Sequence, residues 1–320
     1  MTKVVVTGAV GFVGSALCHQ LLEDGCEVVG VVRSPDQVVH LKSDVFPVIA
    51  GDLGHQKSTS AYLTGADVVV HLAARVHVLK DISMDPLSAF RLANVAATEH
   101  LAKQAASSGC RRLVYVSSIK VNGESTAQGM AFTERDVSNP QDSYAISKSE
   151  AELAVRRISQ ATGMEIVVLR PPLVYGPGVK GNFLTMLSAI KRGVPLPFLG
   201  VVNRRSLISV DNLADAIACC VTHNLAANKT FLVSDGHDVS TPELIAELAA
   251  CLNVPTRLFS MPESLLRFAG KLTVKDQELD RLIASLVVNS SKIRRELSWS
   301  PPYTFHEGIQ RTANWFKSAS

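Results

Sequence analysis

Three observations predict an α/β fold built on a doubly wound parallel sheet, followed by a smaller, mostly helical C-terminal part. Short, nearly all-apolar runs alternate with longer helical patterns through the first half of the chain. Runs that are apolar throughout, rather than alternating, are expected where helices cover both faces of a parallel sheet. A glycine-rich turn, TGAVGFVG, directly follows the first run, and the texture changes after Arg170, where Pro and Gly cluster.

The predicted strands are 3–7, 27–32, 45–50, 67–73, 112–117, 165–169 and 230–234. Helical stretches at 14–24, 86–108 and 143–162 separate them, giving strand–helix–strand repetition. RPPLVYGPGVKGN from Arg170 and GVPLPFLG at 193–200 read as loops leaving the sheet. Ser240-Thr241-Pro242-Glu243 is a capping box with Pro in the first turn, so a helix is expected from there through Leu252. The expected organisation is a first domain over 1–170, to which 205–235 returns. A smaller lid comprises 171–204 and 236–320.

With 320 residues and 47% hydrophobic content, the chain buries a large core, which excludes a disordered or disulfide-stapled protein. A net charge of +3, with no Lys/Arg block longer than two, is too weak a field to wrap nucleic acid. Aromatic residues at 6% leave few platforms for stacking bases. Cys18, Cys26, Cys110, Cys219, Cys220 and Cys251 are scattered without a C-x-x-C pair, as in core thiols of a reducing cytosol. The apolar start raises a signal peptide, but Thr7, Gly8, Gly11 and Gly14 interrupt it and suit a strand and phosphate loop better. Since no apolar run is long enough to span a bilayer, no membrane association is expected. A cytoplasmic location is expected. The histidines show no ligand spacing, so no metal is assigned.

The first chemical signal is the glycine turn itself. Gly8 permits the tight turn, Gly11 lets backbone approach a pyrophosphate, and Gly14 allows close helix–strand packing. Phosphates then meet free N–H groups at a helix N-terminus, with Val10, Phe12 and Val13 alongside. This is the Rossmann-type dinucleotide loop. Where an NAD-specific site places an acid on the ribose 2′-hydroxyl, this chain has Arg33, which can pair a 2′-phosphate; NADP(H) is therefore favoured over NAD(H). Asp52 and Leu53 follow the third strand and suit an adenine contact. His71, Leu72, Ala73 and Ala74 end the fourth beside the cofactor, with His71 read as a packing residue.

The second signal is Ser117-Ser118 at a strand end, followed by Tyr144-Ala145-Ile146-Ser147-Lys148. Tyr and Lys at i and i+4 share a helix face. The tyrosine hydroxyl ordinarily titrates near 10, and a neighbouring ammonium lowers that value toward a working range. Lys148 can also hold ribose hydroxyls, and a Ser118 hydroxyl can orient a sugar oxygen that gains or loses a proton. Y-x-x-x-K arises easily by chance, so its weight comes from its place behind a dinucleotide loop.

Together TGAVGFVG, GDL at 51–53, HLAA, NVAAT, VSSIKVNG, YAISK, RPPLVYGPG, RRSLISVDNLADA and LSWSPP resemble the extended short-chain dehydrogenase/reductase family. Within it they resemble the NAD-dependent epimerase/dehydratase group acting on nucleotide sugars. The resemblance implies Ser118, Tyr144 and Lys148 as catalytic residues, with Asn94 and Pro171 at the cofactor. It implies Arg205 and Asn182 at a substrate diphosphate, with Arg281 as a second arginine. Leu173 replaces an asparagine that relatives often carry there, and Ile119-Lys120 replace the acid pair of sugar dehydratases, which argues against dehydration. Two activities stay open: a UDP-hexose 4-epimerase with tightly bound NAD, and a 4-keto-sugar reductase consuming NAD(P)H. Arg33 and the resemblance to reductases acting on UDP-4-keto-6-deoxy-N-acetylglucosamine in surface-polysaccharide synthesis favour the second. A non-catalytic dinucleotide sensor on the same fold is the alternative of another class. Helices 86–108 and 144–162 pair across a two-fold axis in this family, so a homodimer is expected.

Overall fold

The computed structural model describes residues 1–53, 60–76, 85–262, 264–266 and 276–319. Seven strands form one fully parallel sheet: β1 (Lys3–Thr7), β2 (Glu27–Val32), β3 (Phe46–Ile49), β4 (Val68–His71), β5 (Arg112–Val116), β6 (Glu165–Arg170) and β9 (Thr230–Leu232), in the order β3-β2-β1-β4-β5-β6-β9. The order reverses between β1 and β4, where Thr7 pairs in register with His71. A crevice opens at such a reversal, beyond the carboxyl ends of the strands.

Helix α1 (Phe12–Glu23) and α6 (Val210–Thr222) pack on one face of the sheet. The other face carries α2 (Pro86–Phe90) and α3 (Ala97–Ser107), with α4 (Ser143–Thr162) beside them. Because both faces are covered, Val4, Val5, Val6, Val68, Val69 and Val70 are all fully buried, the reason these strands read as unbroken apolar runs. A separate apolar cluster joins α5 (Gly181–Lys191), α7 (Thr241–Leu252) and the C-terminal helix Phe305–Ala319.

Two features depart from the sequence expectation. The segment after Arg170, expected as loop, contains β7 (Leu173–Tyr175), which pairs in parallel with β8 (Leu207–Ser209) as a two-stranded sheet. Three-residue strands flanked by Pro and Gly show no periodicity, so composition hid them. The helix expected over 86–108 is continuous but changes register: Arg91–Ala96 form a π-helical turn between α2 and α3. The capping box forms as read, with Ser240 accepting from the Glu243 N–H and Glu243 accepting from the Ser240 N–H. The six cysteines are free thiols, and among the described residues no helix is long and apolar enough to cross a membrane.

Candidate active site

The glycine turn joins β1 to α1. Gly8 has φ +71°, and a Cβ there would meet the Ala73 nitrogen at 2.9 Å. A Cβ on Gly14 would lie 2.0 Å from the Gly8 carbonyl oxygen, so only glycine allows α1 to start against the turn. Gly11 caps α1 without a side-chain bond, and the first turn holds no acid. Backbone amides at this helix start therefore face the crevice without a side chain competing for them, which fits a dinucleotide pyrophosphate. Gly8, Val10, Gly11, Phe12, Val13 and Gly14 would hold it. A Cβ on Gly178 would meet the Phe12 ring at 3.6 Å, so the loop leading to Asn182 passes over the same helix start. Asn182 itself is exposed in the first turn of α5.

The strand ends complete this crevice. Arg33 follows β2 and is exposed, its backbone N–H donating to Gln37 Oε1 at 2.8 Å. Asp52 is exposed and Leu53 half-buried. Leu72 packs against the core, and the Ala73 N–H donates to Thr7 Oγ1 at 3.3 Å, with Ala74 half-buried beyond it. His71 is held between Thr7 Oγ1 at 2.6 Å and Thr98 Oγ1 at 2.9 Å, and burial pushes its pKa down to about 3. A neutral, doubly bonded imidazole of this kind is a packing residue.

Asn94 lies in the π-helical turn, 1% exposed. Its Oδ1 accepts from the Arg75 N–H at 2.7 Å, and its Nδ2 donates to the Arg75 carbonyl at 3.0 Å and Ser147 Oγ at 2.9 Å. Ser147 Oγ in turn donates to the Tyr144 carbonyl at 2.7 Å. One amide thus ties the strand-end segment of the crevice to the helix that carries Tyr144 and Lys148.

Ser118 caps a short turn, Ile119–Val121, its Oγ accepting from the Lys120 N–H at 3.3 Å. The Ile119 N–H donates to the Pro171 carbonyl at 2.9 Å, so buried Pro171 fixes the same turn. Asp142 caps α4, accepting from the Ala145 N–H at 2.7 Å. Lys148 is 3% exposed and donates to the Val116 carbonyl at 2.7 Å, while burial lowers its pKa to about 7 against the opposing pull of Glu152.

The Tyr144 phenol corrects one expectation. The spacing predicts a phenol depressed by Lys148; in the structure burial, helped by the Asp142 carboxylate, pushes it up to about 12. Desolvation and the nearby carboxylate both disfavour the phenolate, and spacing along a helix shows neither.

Arg205 and Arg281 are far apart in sequence yet close enough for each to affect the other's charge. Burial first, then Arg281, lowers Arg205 to about 10, with Glu124 opposing. Arg205 Nη1 donates to the Ala284 carbonyl at 2.8 Å. Arg281 lies 4.0 Å from Asp142, which also accepts from Lys120 Nζ at 2.6 Å, and Lys120 donates to Glu124 at 2.7 Å. Ser118, Tyr144, Arg205 and Arg281 are thereby linked through Lys120, Asp142 and Glu124. Arg33 and Asn182 stand apart from that group.

Two further features escaped sequence reasoning. Glu152 is buried on α4, accepting from Ser117 Oγ at 2.5 Å and paired with Arg170 at 2.7 Å; Arg170 also donates to Asn122 Oδ1 at 2.9 Å. An acid on the apolar face of α4, at i+4 from Lys148, was the available signal. His306, expected to stand outside any ligand cluster, instead hydrogen-bonds Glu247 near Cys251, their ligand atoms within 4.8 Å of one another. Burial and Glu247 push the Cys251 thiol up, so it keeps its proton. His55 and His77 lie outside the described residues.

A parallel sheet with this strand order, a glycine-built dinucleotide turn and a Tyr-x-x-x-Lys helix define an enzyme of the extended short-chain dehydrogenase/reductase type. The chain belongs to the NAD dependent epimerase/dehydratase family, whose family model matches residues 4–234. A UDP-glucose 4-epimerase of Vibrio cholerae is 42% identical, covering 99% of this chain and 96% of that protein. Among solved structures, the UDP-glucose 4-epimerase of Thermotoga maritima with UDP-glucose superposes with a TM-score of 0.79 at 19% identity, covering 99% of both chains. The dTDP-glucose 4,6-dehydratase of Streptomyces venezuelae, with NAD bound, gives 0.79 at 24% identity, covering 99% of this chain and 97% of that one. The two structures bear on the fold alone.

Proposed function

We propose that the chain reduces the 4-keto group of a UDP-4-keto-6-deoxy-N-acetylhexosamine at the expense of NADPH, in surface-polysaccharide synthesis. The dinucleotide supplies the hydride. Tyr144 gives its phenolic proton to the carbon-4 oxygen, and Ser118 donates a hydrogen bond to that oxygen. Lys148 fixes the ribose end and returns positive charge toward the phenolate left behind. One ketone, one hydride and one proton give one alcohol.

The observation that carries this reading is Arg33, exposed at the carboxyl end of β2 where an NAD-specific site would carry an acid. A 2′-phosphate is the group a guanidinium would select there. A Tyr144 that holds its proton in the free protein, pKa about 12, agrees with a donor. Arg205 and Arg281 would take the diphosphate. In this reading 171–204 and 236–320 close over the sugar, while 1–170 with 205–235 hold the dinucleotide. Exposed Leu92 and Leu153, on the 86–107 helical run and on α4, support a homodimer through those helices.

A second reading is favoured by the 42% identical relative, a UDP-glucose 4-epimerase: carbon 4 is oxidised and re-reduced on its other face by retained NAD, with no net consumption. One experiment separates them. Purified protein is analysed for bound dinucleotide, then supplied with NADPH and the 4-keto sugar nucleotide, and separately with UDP-glucose. Stoichiometric NADPH oxidation with the keto sugar supports the reductase. Tightly held NAD with interconversion of UDP-glucose and UDP-galactose overturns it in favour of the epimerase.

A further inference from the structure

The turn that carries Ser118 and the helix that carries Tyr144 are separate elements, and one side chain spans them. Lys120 lies two residues beyond Ser118, its N–H on Ser118 Oγ at 3.3 Å. Its Nζ reaches Asp142 Oδ2 at 2.6 Å and Glu124 Oε1 at 2.7 Å. Asp142 is committed on its other oxygen to the Ala145 N–H at 2.7 Å, as the cap of α4, two residues before Tyr144. The two ions are largely sheltered, with side chains 16% and 24% exposed, so their attraction is screened less than a surface pair's.

We propose that Lys120 is a positioning residue of this site: through Asp142 it locks the Ser118 turn to the start of α4, so that the Ser118 and Tyr144 hydroxyls address one oxygen. The proposal rests on the Ser118, Tyr144 and Lys148 reading given above. It also assigns Lys120 an electrostatic task. Asp142 is one of the groups that raise the Tyr144 phenol, and an ammonium on that carboxylate offsets its charge. The other groups around the phenol are fixed by their own partners. Lys148, on the same helix, is bound to the Val116 carbonyl at the end of β5, Arg281 lies 4.0 Å from Asp142, and Tyr115 is buried behind. From α2 the phenol meets the edge of the uncharged Phe90 ring, with Arg75 over that ring's face.

The charges therefore predict opposite displacements from two substitutions that break the same tie. Lys120→Met takes from Asp142 the ammonium at 2.6 Å and leaves Arg281 at 4.0 Å, which raises the phenol; Asp142→Asn keeps an N-cap side chain but removes the charge and lowers it. The test titrates the Tyr144 phenol, read as the phenolate absorbance of each protein minus that of its Tyr144→Phe counterpart. Displacements of about half a unit or more, up for Lys120→Met and down for Asp142→Asn, are expected. In the active turnover assay described above, kcat is expected to fall about tenfold or more in Lys120→Met and to recover within about threefold in Lys120→Arg. Dinucleotide affinity stays unchanged. A Lys120→Met protein with the wild-type phenol titration and kcat overturns the proposal. So does Lys120→Arg as impaired as Lys120→Met. Turnover retained by Tyr144→Phe overturns the underlying reading instead, and the two phenol titrations still decide whether Lys120 and Asp142 are coupled to that residue.

Discussion

The Lys148 ammonium donates to the Val116 carbonyl oxygen at 2.7 Å, pinning α4 to the end of β5 two residues before Ser118. That bond places an ionisable amine in a pocket sealed from water, with Tyr115 beneath it at 4.3 Å from ring centroid to Nζ. The amine's position and its altered protonation share this one cause.

Burial depresses Lys148 from 10.5 to about 7. Below about pH 7 the amine is charged both folded and unfolded, and folding bears the full penalty of burying it. Between the folded and unfolded values only the unfolded chain holds the proton, so stability rises with pH through that window. Replacing Lys148 by Met is therefore expected to raise the melting temperature more at about pH 6 than at about pH 9, while abolishing turnover. Calorimetry at the two pH values checks it; an equal change at both contradicts the assignment.

Asn94 satisfies both backbone groups of Arg75 with one amide. Asn94→Ala removes that partner from a half-buried pair of backbone groups, at a cost of about 1 kcal/mol. Denaturant unfolding is expected to show this loss together with dinucleotide affinity reduced about tenfold, because the freed segment follows Ala73 and Ala74 at the crevice. Loss of stability with unchanged affinity would separate Asn94 from the cofactor.

Arg33 is exposed, so its replacement leaves the core intact. Arg33→Glu is expected to exchange a preference for NADPH for one for NADH, with kcat/KM for NADPH falling about a hundredfold. Initial rates with both cofactors test this; a wild-type protein that already prefers NADH removes the role given to Arg33.

How much of this was legible in the sequence follows from which interactions are local. The central strands announce themselves because burial on two faces makes their middles apolar, as in Val4–Val6 and Val68–Val70, and β1 with the Gly8–Gly14 turn needs only adjacent residues. Tyr144 and Lys148 share a helix face by spacing alone. Arg281 beside Arg205 depends on the chain after the Asp276–Ile283 helix returning to bridge Arg205 at Leu286, Glu152 meets Arg170 from another element, and β7 with β8 are too short to carry a period. The raised Tyr144 phenol belongs to the same class: desolvation is a property of the packed interior, and spacing from a lysine does not reveal it.

The central claim is that Tyr144 moves the proton on a nucleotide sugar at carbon 4, and Tyr144→Phe tests it most directly. The substitution keeps the ring against Phe90 and removes only the hydroxyl. Dinucleotide binding, followed by fluorescence titration, is expected to stay within about twofold of wild type, while kcat falls about a thousandfold or more. A Tyr144→Phe protein that binds dinucleotide and turns over at the wild-type rate would contradict the account.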